Sequence, residues 1–270
     1  MSRDVLAEQV ADSRQRLAAA LAREPLGRLR ARAEGTVRPP SFRAALALPG
    51  VSVIAEIKRG SPSRGPLVAD LDPVETAQAY VAGGAAAVSV LTAPLGFGGS
   101  LADLEAVAAT GVPTLRKDFL VDPYQVWEAR AAGASAVLLL AVVLDDESLR
   151  GMLDVVEDAG LDALVEVHDE SEMERVARLA PPIVGVNVRD LRDFSVENDR
   201  FGAVAQRRPS GALLVAESGV HGPEDVADYA ASGADAVLVG EHLVTSSDPA
   251  EATRALVGAG APSTGGGAAA

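Results

Sequence analysis

The chain of 270 residues contains no cysteine. That excludes disulfide frameworks, thiolate zinc sites, iron–sulfur clusters and thiol nucleophiles. Histidine is almost as scarce: His168, His221 and His242 stand too far apart to suggest a multi-histidine metal site. Aromatic residues make up 3% of a chain that is 48% hydrophobic, so its apolar side chains are overwhelmingly aliphatic. Long apolar runs are missing too. The longest, residues 136–144, falls far short of the ~20 residues needed to span a bilayer. The opening MSRDVLAEQV lacks the apolar core of a signal peptide. A soluble, cytoplasmic protein with no membrane partner is expected. Basic residues are in deficit, 24 against 38 acidic, for a net charge of −14, which argues against a nucleic-acid partner. A small phosphorylated ligand is still compatible, because a local cluster of basic groups overrides the net charge.

A chain of this length buries roughly three quarters of its unfolded surface and needs neither disulfide nor metal to fold. One signature recurs four times: a small residue, Gly, any two residues, Ala, then an apolar run. It reads GGAAAVSVL from 83, AGASAVLLL from 132, AGLDALVEV from 159 and SGADAVLVG from 232. Gly after a helical pattern stops a helix, and a short Val-rich run suits a strand buried on both faces. Each copy therefore reads as helix end, tight turn, parallel strand. The glycines lie 49, 27 and 73 residues apart, two, one and three steps of about 25 residues. VSVIAEIK from 51, VPTLRKD from 112, PIVGVNVRD from 182 and ALLVAESG from 212 complete the set. Helix-like segments such as PVETAQAYVAGG and PEDVADYAASG follow these strands. Eight βα units predict an α/β fold of the (β/α)8 TIM-barrel type. A doubly wound sheet is the alternative, but it usually has fewer strands and a GxGxxG turn, and no such turn follows the first strand.

Residues 1–48 read as three helices, over 4–22, 25–34 and PPSFRAALAL. They form an extension packed on the barrel, too short and too charged to hold a core of its own. Residues 49–260 form the barrel, and residues 261–270, APSTGGGAAA, a disordered tail.

Parallel barrel strands should be apolar, so charges near their C-terminal ends, where barrel active sites sit, are informative. Glu56 and Lys58 are two apart and share a strand face, as do Asn187 and Arg189. Lys117, Glu166 and Glu217 end three further strands, with Ser218 and Gly219 next to the last, and Gly240 ends the eighth. If these faces point inward, they converge on one barrel mouth. Buried charges cost several kcal/mol unless paired, so such a cavity points to catalysis.

Together VIAEIKRGSPSRG, SVLTAPLGFGGS, TLRKDF, LVEVHDE, GVNVRDL, VAESGV and VLVGEHLV resemble the indole-3-glycerol phosphate synthase family over roughly residues 2–257. The resemblance implies a lyase of tryptophan biosynthesis that needs no cofactor and no metal. Its reaction closes the ring of 1-(2-carboxyphenylamino)-1-deoxyribulose 5-phosphate with loss of carbon dioxide and water. It further implies Lys117 as general acid at the ketone and Glu166 as its acid–base partner. Lys58 would hold the substrate carboxylate and share in dehydration. Glu56 and Glu217 would orient the lysines and substrate hydroxyls, and Asn187 would bond the substrate near the reacting centre. Ser61, Arg189, Ser218 and the backbone at Gly219 and Gly240 would hold the phosphate, with Phe97 and Phe119 walling the anthranilate ring. Glu56, Glu166 and Glu217 balance Lys58, Lys117 and Arg189, so an anionic substrate favours proton uptake, a setting for acid catalysis.

The pattern departs from the family at Ala93, where Glu is usual, and at Val188, His242 and Val244. His242, just past the phosphate loop, is read as a helix cap or surface residue, with phosphate contact as the alternative. His168 shares the face of Glu166 but lies farther out, and is expected to face solvent or anchor a loop. His221 is expected at the surface, and Trp127 between helix and barrel. A phosphoribosylanthranilate isomerase-like barrel is disfavoured because that chemistry uses a cysteine. A binding-only paralogue is disfavoured because Lys58, Lys117 and Glu166 are all present.

Overall fold

The computed structural model describes residues 5–62, 64–189 and 200–261. Eight parallel strands close into a barrel: β1 (Ser52–Ile57), β2 (Ala87–Leu91), β3 (Thr114–Lys117), β4 (Ala136–Leu140), β5 (Asp162–Val167), β6 (Ile183–Asn187), β7 (Leu213–Glu217) and β8 (Ala236–Val239). Each pairs with the next in the chain, and β8 returns to β1 with Ser52 opposite Ala236. That closing pair rules out the doubly wound sheet. The expected tail lies outside the described residues except for Ala261.

Before the barrel come α1 (Val5–Arg23), α2 (Leu26–Glu34) and α3 (Phe42–Leu46). Around it run α4 (Pro73–Ala82), α5 (Leu101–Ala108), α6 (Pro123–Ala131), α7 (Asp146–Asp158), α8 (Glu170–Ala177), α9 (Arg200–Ala205), α10 (Pro223–Ala231), α11 (Glu241–Val244) and α12 (Pro249–Ala259). The recurring glycines do what their spacing implied. Gly84, Gly133, Gly160 and Gly233 have φ of 95°, 85°, 68° and 89°, the left-handed turn that ends a helix and admits glycine at least cost. Helix starts are equally local. Asp72, Asp122 and Asp248 each cap a helix whose first residue is proline, accepting N–H bonds the first turn cannot satisfy internally.

Strand alternation sorts the core into two shells. Ile54, Leu115, Leu138, Leu164, Val215 and Leu238 point into the barrel, and Phe42 and Leu46 of α3 belong to the same cluster. The opposite strand faces pack against the helices. Helix α3 sits at the N-terminal end of the barrel, where Ser41 Oγ and the Arg43 N–H donate to Asp162. Helix α2 packs on α6, with the Arg30 guanidinium 4.6 Å from the Trp127 ring centroid, so that buried indole serves the contact with α2 as well as the core. Helix α1 crosses the C-terminal end. Gln9 Nε2 donates to Leu95 O (2.9 Å) and Ser13 Oγ to Phe119 O (2.5 Å), in the loops after β2 and β3.

Candidate active site

The C-terminal mouth opens into a cavity of about 460 Å³, lined by all the residues expected to bind substrate or act on it: Glu56, Lys58, Ser61, Phe97, Lys117, Phe119, Glu166, Asn187, Arg189, Glu217, Ser218, Gly219 and Gly240. Five of the charged ones form a single cluster. Lys58 Nζ is 2.9 Å from Glu56 Oε1. Lys117 Nζ lies 2.8 Å from Glu217 Oε2, 3.7 Å from Glu166 Oε2 and 3.8 Å from Glu56 Oε2. Asn187 Nδ2 donates to Glu166 Oε1 (3.1 Å), and Asn187 Oδ1 accepts from Ser218 Oγ (2.9 Å) and the Arg189 N–H (3.1 Å). Ser218 takes a φ of 71°, rare for a residue with a side chain and of the kind that clusters at active sites. At the outer rim the rings of Phe97 and Phe119 meet at 6.3 Å between centroids.

The surroundings give the carboxylates different proton affinities. Burial would lower the Lys117 ammonium, but Glu217, Glu56 and Glu166 more than offset that and hold it charged. Burial likewise pushes Glu56 up, and Lys58 and Lys117 bring it below its ordinary value. Glu217 is pushed up by burial and by the Glu166 carboxylate, with Lys117 pulling only part of the way back. Glu166, equally buried, is held low by Lys117, His168 and Asn187. The two carboxyls are pushed in opposite directions although Lys117 lies nearer to Glu217: Glu166 has His168 and Asn187 beside it, while Glu217 Oε1 makes no hydrogen bond among the described residues.

Three features at the mouth were not anticipated. A Cβ on Gly185, in the middle of β6, would lie 2.1 Å from Glu217 Oε1, so the bare glycine makes the seat for that carboxylate. A lone glycine in a strand is the sequence signal for such close approach. Gly240 does similar service, since a Cβ there would lie 2.4 Å from Glu56 Oε1 and 2.7 Å from Lys58 Nζ. Behind Lys117, the outward face of β3 carries a buried charge network. Asp118 accepts from Arg16 (2.8 and 3.0 Å), Arg116 (3.1 Å) and Thr92 (2.8 Å), and Arg116 also reaches Glu128 of α6 at 2.9 Å. The signal for it lies in the segment RKD at 116–118: if Lys117 points inward, its two neighbours point outward.

Of the two roles expected for His168, the structure shows loop anchoring and not solvent exposure: its side chain is 12% exposed, between Glu166 and Glu172, and its backbone N–H donates to Glu172 Oε2. His221 is 78% exposed, as expected, though it borders the cavity. His242 lines the cavity beside Gly240 and is not a fully exposed surface residue. Ala93 and Val188, at the positions of two departures, are fully buried.

A (β/α)8 barrel with two lysines set among three glutamates at its C-terminal mouth is an acid–base enzyme by class. A family model described as indole-3-glycerol phosphate synthase matches residues 6–256. The chain is similar to the indole-3-glycerol phosphate synthases of a Nocardioides species (55% identity, 81% of this chain and 83% of the relative) and of Streptomyces griseus (50% identity, 95% and 96%). It belongs to the indole-3-glycerol phosphate synthase family. Among solved structures, 3-hexulose-6-phosphate synthase from Salmonella typhimurium (TM-score 0.58, 17% identity, 77% of this chain and 98% of that one) and orotidine 5′-phosphate decarboxylase from Pyrococcus horikoshii (TM-score 0.55, 18% identity, 69% and 91%) share the barrel.

Proposed function

We propose that this mouth carries out the ring closure of 1-(2-carboxyphenylamino)-1-deoxyribulose 5-phosphate to indole-3-glycerol phosphate, with Lys117 as the acid at the ketone. The observation that carries the assignment is the Lys117 ammonium, partly buried in the cavity wall and surrounded by Glu217, Glu166 and Glu56 at 2.8, 3.7 and 3.8 Å. As the ring carbon attacks the ketone, its oxygen gains negative charge. A proton donor aimed there stabilises the transition state more than the ground state. Loss of carbon dioxide restores the aromatic ring, and loss of the hydroxyl as water needs a base to take the departing proton. Glu166, held ionised, suits that step. Lys58 receives the substrate carboxylate, while Glu56 and Glu217 fix the two ammonium groups and Asn187 orients Glu166. Ser61, Arg189, Ser218 and the backbone of Gly219 and Gly240 grip the phosphate. Phe97 and Phe119 flank the aromatic ring. In this reading residues 49–260 are the catalytic barrel, and 1–48 an extension that braces its two ends.

The test is turnover of Lys117→Met, followed by indole fluorescence and carbon dioxide release, beside Lys58→Met. Lys117→Met should lose at least about two decades in turnover and still bind a reduced, non-reactive substrate analogue, because the phosphate grip is untouched. If it keeps more than a tenth of wild-type turnover, the acid lies elsewhere.

A further inference from the structure

Three buried carboxylates share this mouth, and the two lysines are already committed: Lys58 to Glu56 at 2.9 Å, and Lys117 most closely to Glu217 at 2.8 Å. Glu166 receives a longer share of Lys117, at 3.7 Å. On its other side stands His168, one residue beyond β5. Its Nε2 lies 3.2 Å from Glu166 Oε1 and its Nδ1 3.2 Å from Glu172 Oε2 in the first turn of α8. Glu172 Oε2 also accepts the His168 backbone N–H at 2.8 Å, and the Glu172 N–H is held by Asp169 Oδ1 at 2.8 Å, so the ring is fixed from the helix side. The contact to Glu166 is off the line of a hydrogen bond and acts through charge. A neutral imidazole carries one N–H and one lone pair. With a carboxylate oxygen beside each ring nitrogen, the neutral ring would turn its lone pair toward an anion. The imidazolium has no such conflict.

We propose that His168 is a positioning residue of the reaction: as an imidazolium bridging Glu166 and Glu172, it is the counter-cation that keeps Glu166 ionised and aimed as the base. The proposal rests on the reading of Glu166 as acid–base partner given above. The charged and polar groups facing Glu166 come from four other strands and the turn after its own: Lys117 on β3 and Asn187 on β6 favour its anion, Glu217 on β7 and Glu56 on β1 oppose it, and His168 tips the balance. His168 itself faces Glu166 and Glu172 among the described residues. In keeping with this, burial acts to discharge the ring, yet the two carboxylates outweigh it and raise its pKa to about 10.

A merely structural role, anchoring the turn into α8, would not move a pH profile. The experiment measures kcat and KM against pH for the wild type, His168→Gln and Glu172→Gln, together with 15N spectra of histidine-labelled wild type near pH 8. Glu166→Gln runs in parallel. Wild-type His168 should show both ring nitrogens protonated at about pH 8, well above an ordinary histidine value of about 6.5. His168→Gln should move the acid limb of kcat upward by about one to three pH units. That is a loss of tenfold or more on the acid side, with recovery at high pH and little change in KM. Glu172→Gln should move it the same way by less. An unmoved acid limb in His168→Gln overturns the proposal, as does a pH-independent loss accompanied by a raised KM, or a singly protonated wild-type ring at pH 8. Retention of turnover by Glu166→Gln would instead overturn the assignment of the base, an outcome distinct from any change in the His168 spectrum.

Discussion

Replacing Gly185 by alanine puts one methyl group where the structure has none to spare. The new carbon would stand 2.1 Å from Glu217 Oε1, 3.1 Å from its Cδ and 3.3 Å from Leu164 Cδ1. Carbon contacts settle near 3.5–4.0 Å, so the carboxylate must retreat by about 1 Å or more. It has nowhere neutral to go, because Oε2 is fixed by Lys117 Nζ at 2.8 Å and Glu166 lies alongside. Gly185 is not among the residues of positive φ, so the backbone itself accepts alanine and the whole effect is steric. Overpacking of this kind costs about 1–3 kcal/mol, a fall in Tm of roughly 3–10 °C for a domain of this size. A displacement of about 1 Å in a catalytic group costs on the order of 100-fold in rate. Steady-state turnover and thermal melting report both. Two companions sharpen the result. Gly151→Ala, on the exposed face of α7 with no atom within 4 Å of the added carbon, should gain about 0.5–1 kcal/mol. Gly185→Ala with Glu217→Asp shortens the side chain that clashes, so the double variant should be more stable than the sum of its parts. Wild-type Tm and turnover in Gly185→Ala, or strict additivity in the double variant, would refute the reasoning.

Arg189→Ala should raise KM by roughly 10- to 100-fold and leave kcat nearly unchanged, since a phosphate contact made in ground and transition states alike is uniform binding. A fall in kcat at constant KM would move Arg189 into the chemistry. Asp118 is pushed up by burial but held by Arg116 and Arg16 from an ordinary 3.8 down to about 2. A carboxyl depressed in this way contributes stability that is complete above its unfolded value and is lost as pH falls from about 4 toward 2, here on the order of 2 kcal/mol. Asp118→Asn should therefore lose about 3–5 kcal/mol at neutral pH by leaving buried arginines uncompensated, and should no longer show that acid-linked loss in urea unfolding. Equal acid sensitivity in both proteins would assign it to other carboxyls.

The barrel was readable because its punctuation is chemical. A left-handed turn before a strand nearly demands glycine, so GA-turns at multiples of one period mark βα units even where helix and strand propensities are ambiguous. Lys117, Glu166 and Glu217 were readable because an ionised group at the end of an otherwise apolar strand has only the mouth to enter. For His168 the sequence left two roles open, facing solvent or anchoring a loop, because alternation gives the face of a side chain but not how far the following turn folds back. Asp169 caps α8 and brings Glu172 over the ring, which encloses a residue that counts as outermost along the strand. Arg116 and Asp118 went unremarked for the converse reason. Charges on the outward face read as solvated, and only the packing of α1 and α6 across β3 shows that both are buried.

Strand β3 links these levels. Its inward face carries Lys117, with three carboxylates within 4 Å. Its outward face carries Arg116 and Asp118, tied to α6 by Glu128 and to α1 by Arg16. The loop that follows carries Phe119, whose carbonyl accepts from Ser13 of α1. A flexible lysine reaches its target reproducibly only if its Cα is fixed, and here the Cα is clamped between the ion pairs of Arg116 and Asp118, the latter at the edge of the cavity itself. The same division appears among the carboxylates. Glu56 has Lys58 and Glu166 has His168, and both are held below their ordinary value, while Glu217, in the seat at Gly185, is pushed above it, so chemically identical groups in one cavity are driven in opposite directions by their neighbours.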